Sequence, residues 1–306
     1  MSKTSKKHHG SVSHKPRKAT AADWISGARI RTLPLAFAPV AIGSGAASIT
    51  EQFNAPVALL CLVVALSLQI GVNYSNDYSD GVRGTDDYRV GPARLTGSGA
   101  ADPKKVLAVA LAFFALSGIA GIVIVVLTSA WWMLAVGAVA IVAAWFYTGG
   151  RRPYGYAGLG EVMVFIFFGL VATLGTTYVQ TGTFSQESLL GGIGIGLISC
   201  AVLVVNNIRD IATDTLAGKK TLAVRMGRTP SAVLFCILML IPFGIVIYLG
   251  LFYTAALLTL FALLAALPAC LITVTAKTPQ EYILALKLSS LTGLLYGLGL
   301  AFAFFS

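Results

Sequence analysis

Residues 57–86 read VALLCLVVALSLQIGVNYSNDYSDGVRGTD. The first part, 57–75, is apolar over close to the ~20 residues that an α-helix needs to cross ~30 Å of hydrocarbon. The second part fills with amides and carboxylates. A helix that enters the bilayer as Leu, Val and Ala and leaves it as Asn, Tyr and Asp carries a polar site at the membrane boundary. The same passage recurs at residues 202–214, which read VLVVNNIRDIATD.

Comparable apolar stretches lie near 34–50, 106–127, 131–148, 158–179, 189–208, 231–251, 254–275 and 283–305. Of the 306 residues, 57% are hydrophobic and 11% charged; in soluble domains about a quarter are charged. The apolar stretches use up most of the chain, and no soluble domain of ordinary size, roughly 100 residues, fits beside them. The expected fold is all-α: a polytopic membrane protein with nine transmembrane helices around a central cavity, over residues 23–306. Residues 1–22, rich in Lys, Ser and His, read as a flexible basic cytoplasmic tail.

In a soluble chain the net charge of +10 would point to nucleic acid. Here the distribution of charge argues for topology. All 22 basic residues fall before the first span, between spans two and three, after spans four and six, and around the start of span nine. The opposite connections, near Glu51, Ser129, Glu187 and Phe252, have none. By the positive-inside rule the N-terminus is cytoplasmic and the C-terminus outside, in a multi-pass protein of the cell membrane whose partner is the lipid bilayer and not nucleic acid. Cys61, Cys200, Cys236 and Cys270 lie in apolar segments without CxxC spacing and read as reduced thiols. His8, His9 and His14 are confined to the start of the chain, which removes His-ligated metal from the membrane region.

Six of the twelve carboxylates fall at the two polar passages: Asp77, Asp80, Asp86 and Asp87 after span two, and Asp210 and Asp214 after span six. Carboxylates at a membrane are costly and mark function. Asn76 and Asp80 are four apart, as are Asn206, Asp210 and Asp214, so each set stacks on one helix face. The two elements repeat at a 130-residue offset (76 to 206, 80 to 210). That register points to a duplicated four-helix unit plus a ninth helix, with the acidic clusters facing each other. Stacked carboxylates repel, and hard oxygen donors at this density suit Mg²⁺ together with phosphate oxygens. Even with Mg²⁺ and a diphosphate bound, a surplus of negative charge asks for cations. Arg83, Arg94, Arg151, Arg152, Arg209, Lys219 and Lys220 occupy the same connections.

At these residues the chain resembles the UbiA superfamily of intramembrane aromatic prenyltransferases. The match is carried by Asn76-Asp-Tyr-Ser-Asp80-Gly-Val-Arg-Gly-Thr-Asp86, by residues 91–99 (GPARLTGSG), by residues 147–161 (YTGGRRPYGYAGLGE), and by Asp210-Ile-Ala-Thr-Asp214 with residues 218–222 (GKKTL). Residues 29–34 (RIRTLP) fit the first helix. The general motif is N-x3-D-x3-D, whereas here Gly84 stands four positions after Asp80 and the next acid is Asp86. That spacing resembles the branch acting on 1,4-dihydroxy-2-naphthoate, and it leaves open which of Asp77, Asp86 and Asp87 touches metal.

The resemblance implies Mg²⁺-dependent transfer of a polyprenyl group from polyprenyl diphosphate to 1,4-dihydroxy-2-naphthoate, with loss of CO₂ and diphosphate. The metal site it implies is Asn76, Asp77, Asp80, Asp86, Asn206, Asp210 and Asp214. Asp80, Asp210, Tyr147 and Lys220 are then catalytic. Arg83, Arg94, Arg151, Arg152 and Lys219 bind the diphosphate, Arg29 or Arg31 the acceptor carboxylate, and Tyr74, Tyr78, Tyr147 and Tyr154 offer aromatic faces to an allylic cation. Two competing readings change the acceptor (4-hydroxybenzoate, haem, homogentisate, chlorophyllide or a phosphorylated sugar) or make the protein a cation transporter. Transport predicts carboxylates near mid-membrane, whereas these lie at helix ends.

Overall fold

The computed structural model describes residues 18–86 and 94–306. Among them the structure is all helical, without strands. In chain order the helices are α1 (Ala21–Gly27), α2 (Pro34–Ser48), α3 (Ala55–Val82), α4 (Pro103–Thr128), α5 (Met133–Phe146), α6 (Gly160–Thr181), α7 (Gln186–Leu216), α8 (Leu222–Met226), α9 (Arg228–Leu249), α10 (Thr254–Thr275) and α11 (Pro279–Phe305).

The breaks follow local chemistry. Asn54 accepts the Val57 N–H and Asp102 the Lys104 N–H at helix starts that also carry proline, while Thr278 and Glu281 form a capping box ahead of α11. Gly182, at φ 70°, ends α6 in the left-handed conformation that glycine adopts without strain.

Each of the nine apolar stretches is helical, but not all are equal. Seven helices are long and apolar enough to cross a bilayer, and an eighth crossing results if residues 21–32 and α2, bent by 47°, count as one. The fourth stretch, 131–148, forms in α5 a helix of only 14 residues. Only the last residues of the expected tail are described. Residues 1–17 lie outside the described residues, but Thr20 and Asp23 form a capping box, α1 starts at Ala21, and the Ala19 N–H donates to Ala100 O at 2.9 Å. A capped helix tied to the segment after residue 94 thus occupies the end of the stretch read as flexible.

The core is organised on α7, the most buried of the spanning helices. Its glycines replace side-chain layers by backbone contact: a Cβ on Gly191 would lie 2.4 Å from Ile42 Cγ2, and one on Gly194 2.0 Å from the hydroxyl of Tyr296, itself fully buried. Gly169 in α6 meets Gly192 and Gly196 backbone to backbone. Small residues that let helices approach, with hydrogen bonds between them, are what association in lipid requires. The Thr177 hydroxyl donates to Gly43 O at 2.9 Å and that of Ser48 to Phe304 O at 2.8 Å. Gly169 lies in a π-helical stretch, Phe165–Val171, inside α6. The four cysteines are free thiols.

Candidate active site

The connections after α3, α5 and α7 gather at one end of the bundle. There the ends of α3 and α7 face each other across a polar cavity of about 70 Å³, lined by Asn76 and Asp80 from one and by Asn206, Asp210 and Asp214 from the other. Lys219 joins the two sets, its ammonium lying 3.4 Å from Asp80 and 3.6 Å from Asp214. The duplicated motifs therefore do converge.

Each carboxylate is met by a cation or a donor. Asp80, 1% exposed, receives Arg94 at 2.5 Å, Lys219 and the Tyr156 hydroxyl. Arg94 also donates to Asn76 O at 2.9 Å and reaches Asp86 at 3.4 Å. Asp210 is gripped by both arms of Arg209, at 2.8 and 2.6 Å. The Asn76 side-chain oxygen accepts the Thr148 hydroxyl at 2.6 Å. Burial alone would lower the pKa of Arg94; Asp80, Asp86 and Asp77 outweigh it and hold the guanidinium protonated beyond its usual range. Burial, then the charge of Asp80, pushes the Tyr156 phenol up, so it remains a donor.

The expected residues sort into three groups. Asn76, Asp80, Asp86, Asn206, Asp210, Asp214, Arg29, Arg94, Tyr147 and Lys219 line the polar cavity. Arg31 and Tyr154 line a second, larger cavity beneath it. The others lie elsewhere. Asp77, expected as a metal ligand, points both oxygens at backbone: Oδ2 accepts the Leu95 N–H at 2.9 Å and Oδ1 the Thr96 N–H at 2.8 Å. It anchors the segment that carries Arg94. Arg83 donates to the carbonyls of Thr148 and Gly150 and stacks on Tyr156, which makes it a clamp between connections. Arg151, Arg152 and Lys220 are exposed and line neither cavity. Tyr74 and Tyr78 belong to a packing cluster with Trp24 and Leu95, and the Tyr74 hydroxyl donates to Trp24 O. Asp87 lies outside the described residues.

Sequence reasoning missed Tyr156, whose ring carries Lys219 at 4.7 Å from its centroid while its hydroxyl meets Asp80. Thr148 and the buried Glu161 were given no role there either, although both lie in residues 147–161; Glu161 accepts the Asn207 side-chain N–H at 3.0 Å. The signal for Tyr156 was present in residues 147–161, which hold three tyrosines, two of them on the cavities' other walls.

The larger cavity, about 520 Å³, is walled by α2, α3, α4, α5, α6 and α7 and is overwhelmingly apolar. Arg29, Asn76, Tyr147 and Asn206 line both cavities, so the two adjoin. A charged chamber beside a larger apolar one, inside a helical membrane bundle, suits an amphiphile with an anionic head.

The described residues contain no group of three or more His, Cys, Asp or Glu side chains poised together as metal ligands. The donors fit a hard divalent cation in kind, since every candidate ligand atom is oxygen. They are held apart by Arg94, Lys219 and Arg209, which neutralise them one by one.

Residues 36–290 match the UbiA prenyltransferase family. The chain belongs to that family. It is 50% identical over 258 residues to a 1,4-dihydroxy-2-naphthoate octaprenyltransferase of Mycobacterium tuberculosis, covering 84% of this chain and 83% of that one. To the protein of the same name from Escherichia coli it is 40% identical, over 67% of this chain and 68% of that one. Among solved structures it is similar to a UbiA homolog from Aeropyrum pernix (TM-score 0.63, 17% identity, 87% of this chain and 96% of that one). It is likewise similar to a UbiA homolog from Archaeoglobus fulgidus bound to GPP and Mg²⁺ (TM-score 0.61, 14% identity, 91% and 99%).

Proposed function

We propose that the protein transfers a polyprenyl group from polyprenyl diphosphate to 1,4-dihydroxy-2-naphthoate, releasing diphosphate and CO₂ and giving demethylmenaquinol. The observation that carries this reading is that the charged and apolar cavities adjoin, sharing Arg29, Asn76, Tyr147 and Asn206 in their walls. The names of the curated relatives support the acceptor.

The headgroup occupies the polar cavity, where Arg94 and Lys219 turn from the carboxylates to the diphosphate oxygens as negative charge grows on the leaving group. Asn76, Asp80, Asp210 and Asp214 would hold Mg²⁺, and bound there the ion would supply Lewis-acid stabilisation of the departing diphosphate. Tyr156 keeps Asp80 oriented by hydrogen bonding. The tail extends into the apolar cavity, where each buried CH₂ contributes about 0.8 kcal/mol. Tyr147 and Tyr154, edge to face at 5.6 Å, border the site at which an allylic cation would form and can stabilise it with their rings. The prenyl cation bonds to the ring carbon that bears the carboxylate. Loss of CO₂ from that carbon returns the bonding pair to the ring, so no base has to remove a ring proton.

The acceptor carboxylate is assigned to Arg31, which lines the larger cavity and has no carboxylate partner among the described residues. Arg209 lines the same wall but is already engaged by Asp210. In this reading the polar cavity faces the cytoplasm, with the C-terminus of α11 outside. Purified protein given labelled octaprenyl diphosphate and each candidate acceptor in turn tests the assignment by mass analysis of the lipid product. Prenylation of 4-hydroxybenzoate in preference to 1,4-dihydroxy-2-naphthoate would defeat it.

A further inference from the structure

We propose that Gln69 and Asn73 form a hydroxyl-reading subsite: their side-chain carbonyls accept the protons of two para hydroxyls on one aromatic ring, so the site takes the acceptor as the reduced diol and not as the dione. The inference rests on the prenyl-transfer reading and names the feature of the acceptor that is read.

Both amides stand on α3 and line the larger cavity, with exposures of 9% and 3%. Their nitrogens are committed to the connection between α1 and α2. Asn73 Nδ2 donates to Ala28 O at 2.9 Å, and Gln69 Nε2 to Thr32 Oγ1 at 3.1 Å. The Thr32 hydroxyl gives its own proton to Arg29 O at 2.9 Å, so toward Gln69 it can only accept. That polarity fixes Gln69 with Nε2 at Thr32 and Oε1 turned away. Gln69 Oε1 and Asn73 Oδ1 have no hydrogen-bond donor among the described residues, and they are not enclosed by packing. Tying the connection to α3 uses only N–H groups and leaves both carbonyls over.

The pair sits in a wall that the same helix otherwise builds from Val64, Ala65, Leu68 and Val72. A carbonyl oxygen in apolar surroundings costs free energy until a donor reaches it. Residues four apart on a helix lie about 5–6 Å apart, which is also the separation of two para oxygens across a benzene ring. Two carbonyls suit two O–H donors and repel the lone pairs of a quinone. Arg31, next to Thr32 in the chain and lining the same cavity, supplies a positive charge for a carboxylate on that ring.

The amides do not belong to the duplicated diphosphate motif. At the 130-residue offset Asn76 is matched by Asn206, but Gln69 and Asn73 are matched by Ser199 and Leu203. The two amides are thus a feature of the α3 wall alone.

Equilibrium binding to the purified protein, kept anaerobic and without prenyl donor, tests the pair with 1,4-dihydroxy-2-naphthoate against 1,4-naphthoquinone-2-carboxylate. The wild type is expected to bind the diol about tenfold to a hundredfold more tightly, through two hydrogen bonds that the dione cannot make. Gln69→Met and Asn73→Leu keep side-chain volume but lose one carbonyl each, and each should lower that preference about tenfold. A merely structural role for either amide would weaken both ligands alike and leave the preference unmoved. Equal binding of diol and dione by the wild type overturns the inference without recourse to a variant, and so does an unchanged preference in both variants. If neither naphthoate binds, the assigned acceptor fails by itself. The pair is then judged with unsubstituted 1,4-dihydroxynaphthalene against 1,4-naphthoquinone: tighter binding of the diol upholds it, and equal or absent binding of the two rejects it.

Discussion

Lys219 is the residue through which the two halves of the site communicate, since its ammonium lies within ion-pair distance of both Asp80 and Asp214. Replacing Asp80 by Ala would leave Arg94 buried without its principal partner and remove a central oxygen donor. Transfer should fall by about 10²–10³-fold or more, while membrane insertion, read by fractionation and detergent extraction, persists. Arg31→Gln is expected to raise the acceptor KM roughly ten- to a hundredfold, in line with about 1.5–3 kcal/mol for a hydrogen bond to a charged group, and to leave the donor KM unchanged. Asp77→Ala acts differently. It leaves the amides of Leu95 and Thr96 without their acceptor, so the segment carrying Arg94 loosens: donor KM rises, limited proteolysis cuts after residue 94 faster, and the Mg²⁺ dependence does not move. A shifted Mg²⁺ requirement in that variant would return Asp77 to the ligands.

At the scale of helices, the apolar lengths made the bundle legible, and the repeated Asn–x3–Asp register pointed to two polar helix ends that face each other. What escaped the reading was direction. Asp77 and Asp80 are three apart on one helix and equally buried, yet one turns to a neighbouring connection and the other to the cavity. Composition cannot distinguish those fates, because they depend on where the 94–101 segment lands. Tyr156 escaped for the same reason, being positioned by a short 3₁₀ turn at Tyr154–Ala157 whose fold is set by contacts with residues far away in sequence. The glycines of α7 were equally mute until their neighbours were known. Gly194→Ala would drive a methyl into the Tyr296 hydroxyl, and overpacking of this kind costs typically about 1–3 kcal/mol. A lower thermal midpoint in detergent, partly relieved by adding Tyr296→Phe, is the expected outcome.

Considered whole, the molecule stores its site as a set of internal ion pairs. Arg94, Lys219 and Arg209 keep closely spaced carboxylates compatible with one another, so the ligand-free bundle is not strained by repulsion. Binding exchanges those partners rather than creating charge contacts from nothing. Mg²⁺ together with a non-reactive prenyl diphosphate analogue should therefore stabilise the fold by about 2.7 kcal/mol at a hundredfold excess over Kd, read as a higher melting temperature than either component gives alone.

The brevity of α5 reaches beyond the protein itself. Fourteen residues extend roughly 21 Å, well short of the ~30 Å of surrounding hydrocarbon. Lipids beside it must thin or tilt to cover that deficit, with Trp131 and Trp132 moored at the headgroup level. The bilayer is thus distorted along the flank where α5 walls the apolar cavity, and acyl-chain length in reconstituted vesicles becomes a variable to which turnover responds.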